Sequence, residues 1–141
     1  MNTQAAGTFI EGYRSTFESM VVQAIVEGFT FPCQADGVSV TTVPDAAAWT
    51  ASIARIAGAY RLLGVVTAAV ESLRVVEVTP GIAHAIVHWH LLQVAGTEVY
   101  GFTASYTLVD TSAGPRIAGV AHDEGPKLQR ALAAAGSGRP A

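Results

Sequence analysis

The spacing of apolar residues changes once along the chain, and that change limits the fold more than any other feature. Up to Gly64 the apolar positions recur at intervals of three and four; beyond it they alternate. The first pattern marks helices with one buried stripe, the second marks strands with one buried face. Helices followed by a long run of strands specify an α+β domain, with the helices covering one face of an antiparallel sheet.

The local signals fill in this outline. Thr8 and Glu11 form a capping-box pair that predicts the start of the first helix. Ile10, Tyr13, Phe17, Met20 and Val21, then Ala24 and Ile25, give its stripe, and Gly28 closes a second short helical segment. Residues 29–34 read as a short strand, which Pro32 confines to an edge or a bulge. Asp36-Gly37 predicts a hairpin turn, and 38–43 a returning strand. Asp45 is the predicted N-cap of a second long helix, with Trp49, Ile53, Ile56, Tyr60 and Leu63 on one side and Gly64 as its stop. Long strands follow at 68–79, 83–94, 99–109 and 116–122, with turns at Gly96-Thr97 and 112–115. They exceed the typical ~5–6 residues, and long strands in a twisted sheet curl. The expected architecture is a curved antiparallel sheet forming a cone closed by N-terminal helices. It is a single domain over 1–141, with its core at 8–124 and a flexible tail at 133–141.

Composition narrows the function. Half of the residues are hydrophobic, 13% are charged and the net charge is −3. Such a chain has no net basic field to hold phosphates, which argues against a nucleic-acid partner. The longest uncharged stretch, 78–97, contains Pro80, Gly81 and three histidines and alternates, so no membrane span is expected. The single Cys33 has no intrachain partner, and no secretory signal is visible, so a cytoplasmic location is expected. So much apolar residue under so little charge points to a homodimer.

The order of elements resembles the NTF2-like superfamily, the SnoaL-like or cystatin-like α+β cone. The resemblance rests on the opening helix at 9–20 with the Ala24-Ile25-Val26 segment, on the Phe31-Pro32-Cys33 strand, and on the 49–63 helix. The closing hairpin Tyr106-Thr107-Leu108 … Gly114-Pro115-Arg116-Ile117 completes it, with Pro115 where a Trp is usual. It implies a pocket inside the cone and a homodimer. Its members include ketosteroid isomerases, polyketide cyclases, dehydratases, epoxide hydrolases and binding proteins, so the fold does not choose an activity. The resemblance places Tyr13 where the isomerases carry an oxyanion-hole Tyr. Their base belongs on the short strand, which here reads Phe31-Pro32-Cys33-Gln34, and their second acid belongs where this chain has Thr103-Ala104-Ser105-Tyr106. Two of three roles are empty, and that chemistry is rejected.

His88 and His90 put two imidazoles on one sheet face about 6.6 Å apart, a spacing that can grip a metal ion. A third ligand is missing, since the neighbouring strands offer Thr103 and Ser105, so no metal and no cofactor are expected. Cys33 has no visible base and reads as a buried, inert thiol. His122 is the best acid–base candidate, with Asp123 beside it, although adjacent strand residues point to opposite faces.

A two-residue turn at Gly96-Thr97 pairs residues whose numbers sum to 193. It gives one face Val87, Trp89, Leu91, Tyr100, Phe102, Ala104, Tyr106 and Leu108, and the other face the histidines. The first is more apolar and should meet the helices. The resulting expectation is a pocket walled by Tyr13, Phe17, Phe31, Trp49, Tyr60, Trp89, Phe102 and Tyr106, with His122 as its polar group, binding a small hydrophobic molecule. One alternative is a cyclase-, dehydratase- or hydrolase-like enzyme using His122; another is a dimeric interaction module without a ligand.

Overall fold

Asn2 starts the first helix. Its side-chain oxygen accepts a hydrogen bond from Ala5 N at 2.8 Å, and α1 spans Thr3–Ser19. The predicted Thr8 cap is therefore corrected: Thr8 lies inside α1, and Glu11 pairs with Arg14 instead. The computed structural model describes residues 1–136. Ala6, Ile10, Tyr13 and Phe17 form the buried stripe of α1, which ends where Met20 takes the left-handed conformation, φ 58°. A short helix α2 (Val22–Val26) follows, then strand β1 (Phe29–Asp36).

Only Thr42–Val43 of the predicted returning strand pairs with β1, as β2. Val38 and Val40 are 88% and 77% exposed, so no buried face holds that stretch extended. It forms a loop instead, closed by a hydrogen bond from Thr41 N to the Asp36 carboxylate. Helix α3 (Ala46–Leu62) is capped by Asp45, which accepts from Ala48 N at 2.9 Å. Gly64 follows it at φ +73°, a conformation glycine adopts without steric penalty.

Strands β3 (Thr67–Thr79), β4 (Ile82–Leu92), β5 (Glu98–Thr111) and β6 (Gly114–His122) run within one to two residues of their predicted bounds. The six strands form one curved, unclosed sheet in the order β2-β1-β6-β5-β4-β3. All neighbours are antiparallel except β1 and β6, which run parallel. Their register shifts between Phe29 and Gln34, so Pro32 lies in an interrupted ladder.

The β4–β5 hairpin pairs Trp89 with Phe102 and Ile86 with Ser105, numbers that sum to 191 rather than the expected 193. The turn is longer than two residues, with Gln93 N donating to Thr97 O. A slip of two leaves every side chain on its face, because the strand period is two. Val87, Trp89, Leu91, Phe102, Ala104, Tyr106 and Leu108 are all buried as expected, and His84, His88 and His90 lie half-buried on the outer face.

A fourth helix, α4 (Glu124–Gly136), follows β6 directly. The sequence reading contained no helix there. It is small-residue-rich and lies across β5, with Ala131 buried and Leu128 and Leu132 packed against the core. Residues 133–136 of the expected tail belong to this helix, and 137–141 lie outside the described residues.

The helices and the inner sheet face enclose an aromatic core. Phe17 contacts Tyr60 and Trp89 at centroid distances of 5.6 and 5.8 Å, and Phe29 contacts Trp49 at 5.2 Å. Such spacings fall in the favourable range for ring pairs. Trp89 is fully buried and donates its indole N–H to the Tyr106 hydroxyl at 3.0 Å. Replacing Trp89 by Ala removes both the ring and that partner, and should destabilise the fold by about 3–5 kcal/mol. Urea denaturation checks this; a loss below about 1 kcal/mol contradicts the packing described.

Candidate functional site

Large rings on neighbouring elements cannot fill a concave sheet completely. Between α1, α3, β5 and β6 they leave a cavity of about 50 Å³. Tyr13 and Phe17 reach it from α1, Phe29 from β1, and Trp49, Ile53 and Ile56 from α3. The sheet contributes Phe102, Ala104, Tyr106, Val120 and His122, and Glu124 reaches it from α4.

Six of the nine expected pocket residues line this cavity: Tyr13, Phe17, Trp49, Phe102, Tyr106 and His122. Tyr60 and Trp89 do not, because both stand behind Phe17 in the solid core. Phe31 does not either. It is half-buried in the interrupted part of β1, and Phe29 supplies the ring instead.

The polar residues of the wall are the informative ones. Glu124 is the buried charged residue of the described core, at 8% exposure. Its Oε2 accepts hydrogen bonds from the hydroxyls of Tyr60 and Tyr100, the latter at 2.8 Å. Burial pushes its carboxyl above the ordinary Glu range, and the two Tyr hydrogen bonds pull it part of the way back. The same burial, reinforced by the Glu124 charge, raises Tyr60 and Tyr100. Glu124 therefore holds a proton more tightly than an exposed glutamate does, with two phenols fixing one of its oxygens.

His122 closes β6. Its Nδ1 accepts from Glu124 N at 3.2 Å, which leaves the neutral ring's proton on Nε2. Burial lowers its affinity for a second proton, against the opposing charge of Asp123. Gly37 lies against the ring: a Cβ there would stand 3.3 Å from His122 Cε1. His122 and Asp123 do not pair, as the opposite facing of adjacent strand residues leads one to expect. Asp123 Oδ1 accepts from Thr103 N at 2.9 Å, and Lys127 lies 3.4 Å from Oδ2. The carboxyl beside His122 in the cavity wall is Glu124.

Trp49 adds an unusual donor. Its indole nitrogen is buried without a hydrogen-bond partner, alone in this among the described residues' side chains. Leaving such a donor unpaired costs about 1–3 kcal/mol. Cys33 is buried with its thiol pushed up by desolvation, in keeping with an inert thiol. The expectation that the outer-face histidines meet only hydroxyls is corrected: the carboxylates of Glu71 and Glu98 both reach them.

A family model described as NTF2-like protein (DUF6841) matches residues 4–125, and the chain belongs to that NTF2-like family. Nothing among the curated proteins matches it. Solved structures share the fold. An NTF2-like protein with a cystatin-like fold from Novosphingobium aromaticivorans is 21% identical with a TM-score of 0.66, over 92% of this chain and 87% of that one. A domain of unknown function with a cystatin-like fold from Nostoc punctiforme is 14% identical with a TM-score of 0.65, over 94% and 84%. An NTF2-like protein of unknown function from Shewanella oneidensis is 11% identical with a TM-score of 0.67, over 87% and 99%. No helix among the described residues is long and apolar enough to cross a membrane.

The two wall groups give opposite pH dependences. Glu124 has a folded pKa above its ordinary 4.5, so its contribution to stability is complete below that value and is lost as pH rises through the folded pKa. His122 has a folded pKa below its ordinary 6.5, so its contribution is complete above that value and is lost as pH falls through the folded pKa. Relative to wild type, Glu124→Gln should gain stability as pH rises above 4.5, while His122→Gln should gain it as pH falls below 6.5. Urea midpoints at several pH values test this, and parallel profiles for all three proteins contradict it.

Proposed function

We propose that the cavity between α3 and the β5–β6 face binds a small, ring-sized molecule that is mostly apolar and carries one hydrogen-bond acceptor. The observation that carries this reading is the unpartnered Trp49 indole N–H in the cavity wall. Pockets of this kind combine apolar walls with a few polar groups that fix orientation. Here the apolar wall is aromatic, and the orienting groups are Trp49, His122 and Glu124. Volume sets the size class. The cavity of about 50 Å³ is smaller than the roughly 150 Å³ of an engineered cavity that holds benzene. A single-ring ketone, phenol or lactone is favoured over a steroid or a polyketide, and wall side chains must move to admit it.

A specific observation favours a second reading, proton transfer on the bound molecule. His122 and Glu124 line the same cavity with their proton affinities pushed toward each other, one down and one up. Raising a buried carboxyl toward the operating pH is one way a Glu is equipped for acid–base catalysis.

Thermal-shift and calorimetric titration with single-ring ketones, phenols, lactones and the matching hydrocarbons tests the binding reading. An acceptor-bearing ring should bind, and at 100 times its Kd should stabilise the fold by about 2.7 kcal/mol. Trp49→Phe should weaken acceptor-bearing ligands and leave the hydrocarbons unchanged. No binder in the panel, or equal losses for both ligand types, overturns it and leaves an interaction module. Solvent-deuterium exchange into a bound ketone, lost in Glu124→Gln with binding retained, would establish proton transfer.

A further inference from the structure

We propose that Glu71, His88 and His90 form a divalent transition-metal site on the outer face of the sheet, with zinc as the ion that fits the donor set. Nε2 of His88 and Nε2 of His90 both approach one oxygen of Glu71, at 3.1 and 2.8 Å. All three donor atoms lie within 4.8 Å of one another. Around a tetrahedral zinc with bonds near 2.0–2.1 Å, donors stand about 3.3 Å apart. The separations of 3.1 and 2.8 Å lie just short of that spacing and the third stays within 4.8 Å, so side-chain torsions alone can close the set around an ion.

The other ring nitrogens are already committed. Nδ1 of His90 lies 2.9 Å from Glu98 Oε1, and Nδ1 of His88 lies 3.1 Å from Thr103 Oγ1. Histidine metal ligands are held in this way: a carboxylate or hydroxyl takes one nitrogen, fixing the ring and turning the lone pair of the other toward the ion. Two neutral imidazoles and Glu71 leave a bound zinc one positive charge in excess, which Glu98 balances.

The backbone is shaped for the same cluster. In the β3–β4 ladder Val70 faces Trp89 and Ser72 faces His88, so Glu71 is the extra residue of a bulge. A bulge re-aims a side chain, and here it brings the carboxylate to the two histidines. A second irregularity, between Leu91 and Leu92, pairs Glu98 with Leu92 on the histidine face. Gly101 faces His90 across β5. A Cβ at that position would stand 3.1 Å from Glu98 Oε1 and 3.4 Å from His88 Nε2, so the glycine leaves the space in which these groups meet.

A proton is the competing occupant. Its hydrogen bond with Glu71, with help from Glu98, raises the proton affinity of His90. One proton on His90 leaves His88 facing the same oxygen, whereas one metal ion serves all three donors. Glu71 is exposed and the histidines are partly exposed, which leaves a fourth position for water or a substrate atom, as in open zinc sites.

Calorimetric titration of tag-free protein with zinc, and cobalt(II) absorption as a geometric readout, tests the site. One ion per chain should bind, with the visible bands of a tetrahedral cobalt centre. His90→Ala and Glu71→Gln should each weaken binding by at least about 100-fold, and Glu98→Gln by about 10–100-fold. His84→Ala, on the same face but bonded to Thr107, should bind as wild type does. Circular dichroism establishes that each variant is folded. No zinc binding by the wild type, or undiminished wild-type affinity in His90→Ala and Glu71→Gln, overturns the proposal.

Discussion

A carboxyl group removed from water must find hydrogen bonds inside the protein or hold its proton more tightly, and Glu124 does both. Its oxygen takes the hydroxyls of Tyr60, from α3, and Tyr100, from β5. That single atom joins three elements: the second long helix, the central hairpin and the C-terminal helix that Glu124 itself opens. The same residue lines the cavity together with His122 and the aromatic side chains. Stability and site chemistry therefore share one group. The hydrogen bonds that anchor α4 also fix the orientation of the carboxyl presented to an occupant.

The sheet carries chemistry on both faces, and its register keeps the two apart. Inward residues of β4 and β5 build the core and the cavity wall, while outward residues bring His88 and His90 together. The alternation of single residues separates an aromatic side from a histidine-bearing side across one layer of backbone. Departures from alternation occur where function is proposed. The bulge at Glu71 and the shift near Glu98 set carboxylates beside the histidines, and the interrupted β1–β6 ladder puts Phe29 rather than Phe31 at the cavity.

This explains what could be read in the sequence. Periodicity is a property of regular elements, and the helix stripe through Tyr13 and Phe17, the Asp45 cap and the four long strands follow from it. The inward face of β4 and β5 survived a register error because the slip was even. The cap at Thr8 failed because Asn2 offers an equally good acceptor further upstream, and two local signals cannot be ranked without knowing where the helix packs. The 38–43 strand failed because β-branched residues need a partner face, and Val38 and Val40 have none. The site was harder to read. Glu124 follows His122 and Asp123 at the end of β6, and α4, a helix absent from the sequence reading, is what turns it inward. Glu71 lay out of sight because a bulge leaves no periodic trace. The relation of Trp49 to the cavity was legible, but not its missing partner, which depends on every neighbour at once.

The central claim is that Glu124 is a buried carboxyl whose proton affinity the fold raises, rather than a surface charge. Infrared spectra recorded through a pH titration, as wild type minus Glu124→Gln, isolate that one group. The account predicts a protonated carboxyl band that persists above pH 4.5, the ordinary value for Glu124's residue type, and that shifts when Tyr100→Phe removes one of its donors. A Glu124 band that titrates together with the exposed carboxylates, insensitive to Tyr100→Phe, would contradict it.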